Sequence, residues 1–118
     1  TLLEVSPVSF NPHMSASEFV DKALSDDACV VFSKSYCPFC DKVKALLNSL
    51  NASFKVYELD NMDGGSAIQQ ELGKRTGATS VPRVFIAKES IGGCDDTQKA
   101  HRDGKLSAKL ASAGAIKN

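Results

Sequence analysis

Hydrophobic residues recur along this chain at two spacings, one typical of helices and one typical of strands. Helical spacing predicts two helices in the first half of the chain, over residues 16–25 and 39–50. The first follows a capping-box pattern, in which Ser15 precedes Glu18 by three residues. Between the two helices, an apolar run over residues 29–34 predicts a buried strand. The first half therefore reads as helix, strand, helix.

A second strand and a third helix follow. Residues 53–60 alternate apolar and polar side chains, as a half-buried strand does. Because a helix separates this strand from the first one, the two are expected to pair in parallel as a βαβ unit. Gly64 and Gly65 then interrupt the pattern, and Ile68 and Leu72 return at helical spacing. This predicts a third helix after the glycine pair.

The last third of the chain predicts a β-hairpin and a helical end. Residues 83–87 form the first strand of the hairpin, residues 88–90 its turn, and Ile91 opens the return strand. The next helix takes Asp95 or Asp96 as its N-cap and breaks at Gly104. The predicted fold is α/β, with a four-stranded mixed sheet that combines the βαβ unit and the hairpin and has helices on both faces.

Two cysteines mark the junction between the first strand and the second helix, in the run Cys37-Pro38-Phe39-Cys40. The first turn of a helix presents unpaired N–H groups that stabilise a thiolate, so Cys37 is the candidate nucleophile. Lys34, at the end of the strand, can add a positive charge near the sulfur. Cys40 lies one helical turn on, where it can close a disulfide with Cys37 and release whatever that residue has captured.

Composition narrows the possible partners. The chain has 118 residues, 42% of them hydrophobic, which fits one domain with its own core. Basic and acidic residues number 14 each, so the electrostatic attraction that nucleic acids or anionic membranes require is missing. Apolar runs are only a few residues long, far below the ~20 needed to span a bilayer. No nucleic-acid or membrane partner is expected.

Three motifs in the same order resemble the glutaredoxin family of the thioredoxin fold. They are Lys-Ser-Tyr-Cys-Pro-Phe-Cys at 34–40, Thr-Ser-Val-Pro-Arg-Val-Phe-Ile at 79–86 and Gly-Gly-Cys-Asp-Asp at 92–96. The resemblance covers roughly residues 15–112. It implies a cis bond between Val81 and Pro82 that turns the Val81 backbone towards the dithiol.

The resemblance also implies a binding site for glutathione, a peptide with two carboxylates and one amine. Its glycyl carboxylate would meet Lys34 and Gln69, while its γ-glutamyl end would meet Asp95, Asp96 and the first turn of the last helical region. The other implied site residues are Phe39, Ser80, Val81, Pro82 and Cys94. Two departures from the family pattern, Phe39 in place of a frequent Tyr and Thr79 in place of a basic residue of some members, predict weaker polar contacts with glutathione.

The implied function is a glutathione-dependent thiol–disulfide oxidoreductase, in which Cys37 is the nucleophile, Cys40 the resolving thiol and Lys34 a stabiliser of the thiolate. Its partners would be glutathione, glutathionylated or disulfide-containing proteins and, through glutathione, glutathione reductase. It would act as a monomer and need no metal.

Three alternatives remain open from the sequence. One is a [2Fe–2S] carrier in which two chains each supply Cys37 and two glutathiones complete the ligand set, although Pro38 stiffens the loop. Another is a thioredoxin-type reductase, which the lack of any Trp disfavours. A zinc site would need a second ligand pair, which Cys29, Cys94, His13 and His101 do not supply.

Residues 1–14 lack a periodic pattern and carry two prolines, so we expect a disordered N-terminal extension, a tag or a targeting remnant, followed by one domain over 15–118. The cysteine pattern favours redox chemistry in a reducing compartment. The expected location is the cytoplasm, or an organelle if residues 1–14 are a targeting remnant.

Overall fold

The computed structural model describes residues 13–117, and within them a four-stranded sheet carries five helices. The strands are β1 (Cys29–Ser33), β2 (Lys55–Glu58), β3 (Arg83–Ile86) and β4 (Glu89–Gly92), and they lie side by side in the order β2-β1-β3-β4. β1 pairs in parallel with β2 and antiparallel with β3, which in turn pairs antiparallel with β4. The predicted mixed sheet, with its βαβ unit and hairpin, is confirmed.

The helices are α1 (Ala16–Asp26), α2 (Pro38–Ser49), α3 (Gly65–Thr76), α4 (Cys94–Arg102) and α5 (Lys105–Ser112), and one 3-10 turn spans Leu59–Asn61. The capping box predicted for α1 is present, since the Ser15 hydroxyl accepts the Glu18 N–H and the Glu18 carboxylate accepts the Ser15 N–H. The break at Gly104 is also present, because this residue adopts the left-handed conformation (φ 75°) between α4 and α5.

Side chains from the two faces of the sheet form two hydrophobic clusters. On one face α1 and α3 supply Phe19 and Ile68, which pack with Phe32 of β1. On the other face α2 and α5 supply Leu47 and Leu110, which pack around Val31. Because every residue of β1 is buried, the strand that leads to the dithiol is held from both sides. The helices therefore flank both faces of the sheet, as predicted.

Three local predictions are wrong. The hairpin turn is Ala87–Lys88 rather than 88–90, and β4 begins at Glu89. Both turn residues have positive φ, at 50° and 70°. Type I′ turns of two-residue hairpins require this conformation, and an Asn-Gly pair would have indicated it in the sequence. The second strand ends at Glu58, because the chain turns into the 3-10 segment instead of continuing to residue 60.

The third wrong prediction concerns the start of α4. Its N-cap is Gly93, not Asp95 or Asp96. Asp96 nevertheless serves the cap from the third helical position, because its Oδ2 accepts the Gly93 N–H at 3.1 Å. Cys94 and Asp95 are thereby in the first turn, with their N–H groups directed out of the helix start.

The last described residues are tied to the loop that follows α2. The Ser53 N–H donates to the Ala115 carbonyl at 2.6 Å, and the Lys117 N–H donates to the Asn51 carbonyl at 2.8 Å. The Asn51 side chain donates to the Lys117 carbonyl at 2.7 Å. This C-terminal segment, residues 115–117, is fixed at the end of α2 that is opposite Cys37.

At the other terminus, the extension predicted over residues 1–14 lies outside the described residues except for His13 and Met14. Met14 packs against the hydrophobic cluster on the sheet face that α1 and α3 cover. Across residues 13–117, no helix has the length and apolar character needed to cross a membrane.

Candidate active site

Cys37 occupies the N-cap of α2, one residue before the first helical residue, Pro38. Its sulfur accepts the Cys40 N–H at 3.2 Å, and its own N–H donates to the Lys34 carbonyl at 3.1 Å. The N-cap position directs the positive end of the helix dipole at the sulfur, and the N–H hydrogen bond stabilises a negative charge there. This is the environment expected of a nucleophilic cysteine.

Cys40 is fully buried at the third helical position of the same turn. Burial and, after it, the hydrogen bond with Cys37 raise the pKa of its thiol to about 11. Both cysteines are free thiols in this structure. At neutral pH Cys40 is therefore protonated in the reduced protein, which distinguishes it from the partly exposed, helix-capping Cys37.

The loop between β1 and α2 is held by Asp60, which the sequence analysis did not identify. Its carboxylate accepts the Ser35 N–H at 2.9 Å and the Ser35 hydroxyl at 2.5 Å. These two hydrogen bonds are the main reason the pKa of Asp60 lies below its usual range, and the positive charge of Lys34 adds to the effect. Asp60 follows the end of β2, and because β2 runs parallel to β1, both strand ends meet at the same edge of the sheet.

The opposite wall of the site is the segment before β3. The predicted cis peptide bond between Val81 and Pro82 is present. The Val81 carbonyl oxygen lies 3.8 Å from the Cys37 sulfur, where the thiol can donate to it. A backbone group of this segment is thus in contact with the nucleophile, as the sequence motif implied.

A cleft of about 280 Å³ opens beside this segment. It brings together most of the residues predicted to bind glutathione, which come from the start of α2, the cis-proline segment and the start of α4: Phe39, Ser80, Val81, Pro82, Cys94, Asp95 and Asp96. Phe39 is 55% exposed and forms an apolar wall, with the Lys42 ammonium 5.2 Å from the centre of its ring.

Two predicted ligands lie outside the cleft lining. Lys34 is at the β1 end, next to the Asp60–Ser35 pair. Gln69 projects from α3, and its amide nitrogen donates to the Thr79 carbonyl at 2.7 Å. Gln69 therefore supports the cis-proline segment directly, since Thr79 precedes Ser80 in the chain.

Two cleft residues were missed by sequence reasoning. Arg83 lies on the first residue of β3 with only 9% of its surface exposed, and its Nε donates to the Pro82 carbonyl at 3.0 Å. Gly93 faces it, and a Cβ at Gly93 would come within 2.5 Å of the Arg83 Nη2. The signal in the sequence was the arginine itself, a charged residue at the start of a strand that is otherwise apolar.

The remaining cysteines differ in position. Cys29 is fully buried in β1, and burial raises the pKa of its thiol to about 12, as expected of an unreactive cysteine in the core. Cys94 lines the cleft but is 8% exposed, and its pKa is raised first by burial and then by the negative charge of Asp95. Neither thiol is positioned to compete with Cys37 at neutral pH.

Known proteins resemble this chain in sequence and in fold. The family model described as glutaredoxin matches residues 29–91. A glutaredoxin of Vernicia fordii is 51% identical over 94 residues, which cover 80% of this chain and 90% of that protein. Two solved structures are also similar. Wheat glutaredoxin has a TM-score of 0.82 at 49% identity and covers 85% of this chain and 96% of its own. The buckwheat glutaredoxin–glutathione complex has a TM-score of 0.79 at 44% identity and covers 83% and 92%. With the dithiol, the cis-proline segment and the sheet order in place, the chain belongs to the glutaredoxin family.

Proposed function

We propose that this protein is a glutathione-dependent thiol–disulfide oxidoreductase that reduces protein–glutathione mixed disulfides and protein disulfides. The observation that carries the proposal is the position of Cys37 at the N-cap of α2, with its sulfur accepting the Cys40 N–H and in contact with the Val81 carbonyl. A nucleophilic sulfur thereby adjoins a backbone group that can pair with an extended peptide. The similar buckwheat protein was solved as a complex with glutathione.

The reaction on a mixed disulfide proceeds in two exchanges. The Cys37 thiolate attacks the glutathione sulfur, a Cys37–glutathione disulfide forms, and the substrate protein leaves as a thiolate that takes up a proton. A second glutathione, as its thiolate, then attacks the glutathione sulfur on Cys37. Oxidised glutathione leaves and the Cys37 thiolate is restored. The net exchange turns the mixed disulfide and one free glutathione into a protein thiol and oxidised glutathione, whereas a protein disulfide consumes two free glutathiones.

Cys40 acts when the captured partner is a protein. After Cys37 has formed a disulfide with the substrate, Cys40 loses its proton, attacks the Cys37 sulfur and displaces the substrate thiolate. Only the thiolate is nucleophilic, and burial disfavours the thiolate at Cys40. The resulting Cys37–Cys40 disulfide is reduced by two glutathiones.

The cleft offers a place for the glutathione peptide. Phe39 supplies an apolar side, and the first turn of α4 supplies N–H groups for the γ-glutamyl carboxylate. Asp95 has no hydrogen bond or ion pair with another residue of the described range, so its carboxylate is available for the γ-glutamyl amine. Lys34 remains the proposed contact of the glycyl carboxylate. Gln69 adds less, because one of its amide hydrogens is already donated to Thr79.

No observation on the described residues favours the iron–sulfur alternative. Within residues 13–117, no three or more His, Cys, Asp or Glu side chains are grouped so that they could hold a metal ion by themselves, and a shared cluster would draw on Cys37 alone from each chain. We further propose that the protein acts as a monomer in a reducing compartment such as the cytosol, exchanging with glutathionylated proteins and served by glutathione reductase through glutathione. Four free cysteines fit such a compartment.

The test is a coupled assay with glutathione, glutathione reductase and NADPH, using a glutathione mixed disulfide as substrate. The wild type should turn over, Cys37→Ser should lose all turnover, and Cys40→Ser should keep it. Cys40→Ser should lose activity towards a protein disulfide instead. Turnover retained by Cys37→Ser would remove Cys37 as the nucleophile, and an inactive wild type would overturn the proposed function.

A further inference from the structure

Arg83 is a buried cation without a counter-ion. Its side chain is 9% exposed, and its only hydrogen bond within the described chain is from Nε to the Pro82 carbonyl. No carboxylate among residues 13–117 lies within the 4.0 Å of an ion pair. Both Nη groups are thus left without an acceptor. Neither Nη is among the fully buried unpartnered atoms of the described chain, so the guanidinium keeps contact with the solvent of the cleft and is open to an anion there.

The unpaired part of Arg83 belongs to the cleft beside Cys37. Arg83 lines that cleft together with Gly93, Asp95 and Asp96. Gly93 leaves room for the guanidinium, since any Cβ there would collide with Nη2 at 2.5 Å. Among the lining residues Arg83 is the single cation and the two aspartates are the anions. The cleft therefore presents one fixed positive group and two negative groups within a small volume.

This charge pattern matches a zwitterion. The γ-glutamyl end of glutathione carries an α-amine and an α-carboxylate on the same carbon. Asp95 can accept the amine, while the carboxylate needs donors on the other side. The N–H groups of Cys94 and Asp95 in the first turn of α4 supply some, and they lie next to Gly93, which touches Arg83.

We propose that Arg83 binds the α-carboxylate of the γ-glutamyl residue, together with the first turn of α4, and so determines that the enzyme selects glutathione over other thiols. The inference rests on the proposed function and names a specificity residue for it. A guanidinium presents two parallel N–H groups to a carboxylate, which gives both energy and orientation. Once bound, the carboxylate supplies the counter-ion that the free protein lacks.

The competing explanation is that Arg83 only braces the cis-proline segment through the Pro82 carbonyl. The two explanations differ in what they predict for substrates. A bracing residue affects every disulfide that Cys37 attacks, because it positions the Val81 carbonyl. A carboxylate-binding residue affects only substrates that carry the γ-glutamyl group.

The experiment compares two mixed disulfides of one reporter thiol, the first with glutathione and the second with cysteinylglycine, which lacks the γ-glutamyl residue. The rate constant of Cys37 thiolation is measured in single turnover on the Cys40→Ser background. Arg83→Gln should slow the reaction with the glutathione disulfide about tenfold or more, as the loss of a hydrogen bond to a charged group predicts. The reaction with the cysteinylglycine disulfide should be unchanged. Arg102→Gln is the matched control, since it removes an exposed arginine at the other end of α4 and should change neither rate.

A second measurement covers the case in which Arg83→Gln does not fold. The wild type and Arg83→Lys, which keeps the charge but loses the paired N–H groups, are given a glutathione disulfide whose γ-glutamyl α-carboxylate is amidated. Amidation should slow the wild type strongly and Arg83→Lys less.

Equal losses on both disulfides, no loss with either variant, or an equal effect of amidation on the wild type and Arg83→Lys would overturn the role of Arg83. A wild type that reacts with neither disulfide would instead overturn the proposed function.

Discussion

Asp60 holds Ser35 by two hydrogen bonds, one from the backbone N–H at 2.9 Å and one from the hydroxyl at 2.5 Å. Ser35 lies two residues before Cys37, so the aspartate at the end of β2 fixes the loop on which the nucleophile is carried. The geometry of the dithiol therefore depends on a residue that does not touch either sulfur.

Removing this anchor should loosen the loop and slow the enzyme. We expect Asp60→Ala to lower the rate of Cys37 thiolation by a few-fold and to lower the melting temperature. Asp63→Ala is the control, because Asp63 is exposed in the following turn and should leave both values unchanged. An unaltered thiolation rate in Asp60→Ala would show that the loop holds its shape without the anchor.

The same pair predicts a pH dependence of stability. The pKa of Asp60 is lower in the folded protein than its ordinary value of 3.8, so the aspartate stabilises the fold above that value. The stabilisation is lost as the pH falls through the folded-state pKa. Thermal unfolding of the wild type and Asp60→Ala should therefore differ by a constant amount near neutral pH, and the difference should shrink below about pH 4. A difference that persists in acid would assign the stabilisation to another group.

The four cysteines should differ sharply in reactivity. At neutral pH, iodoacetamide should label Cys37 alone in the folded, reduced protein, because burial protects the other three thiols and raises their pKa values. Peptide mapping by mass spectrometry gives the labelled sites. In Cys37→Ser, labelling of Cys40 should increase as the pH rises above neutral, because burial still raises the pKa of its thiol. The unfolded protein is the control, in which all four cysteines should react. Labelling of Cys40 at neutral pH as fast as Cys37 would contradict the assigned roles.

Gly65, the first residue of α3, has no space for a side chain. A Cβ there would lie 1.9 Å from the Leu59 carbonyl oxygen, a backbone atom that cannot rotate away. We expect Gly65→Ala to lower the free energy of unfolding by about 1–3 kcal/mol, measured by urea denaturation. Ser66→Ala, one exposed residue further on, should stay within about 0.5 kcal/mol of the wild type. If Gly65→Ala is as stable as the wild type, the turn after β2 shifts away from α3 and relieves the clash with the Leu59 carbonyl.

Gly73 in α3 presents the opposite case. A Cβ there would meet the Thr79 methyl at 2.5 Å, and that methyl is the end of a side chain. In a helix interior alanine is more favourable than glycine by about 1 kcal/mol, and the clash with the Thr79 methyl opposes this gain in stability. Gly73→Ala should therefore stabilise the Thr79→Ala protein by up to this amount and the wild type by clearly less. Equal effects in the two backgrounds, measured as free energies of unfolding, would show that Gly73 and Thr79 do not interact.

The sequence predicted the helices and strands whose formation depends on residues close together in the chain. The spacing of Phe19, Val20, Ala23 and Leu24 located α1, and the alternation before Glu58 located β2. Family motifs supplied the cis-proline and most of the cleft residues. The errors arose where distant residues decide the outcome: Asp60 acts on a loop 25 residues away, and the Arg83 guanidinium occupies space that a side chain at Gly93 would fill.

Positive φ at Ala87 and Lys88 had no local signal either. These two residues are held by the pairing of β3 with β4 and by the hydrogen bond from the Ala87 N–H to the Ala28 carbonyl. Such tertiary constraints override the weak local preference of the two residues, which explains why the turn was predicted to start one residue and to end two residues too late.

The C-terminal segment, residues 115–117, is anchored beside the end of α2 that is remote from Cys37. α2 has 12 residues, which at ~1.5 Å per residue separate its two ends by about 18 Å. A fluorescent reporter or an immobilisation linker attached after this segment would therefore extend from the side of the molecule that is remote from the dithiol. The fold is thus suited to a fused redox sensor in which the attached group does not obstruct the exchange of glutathione.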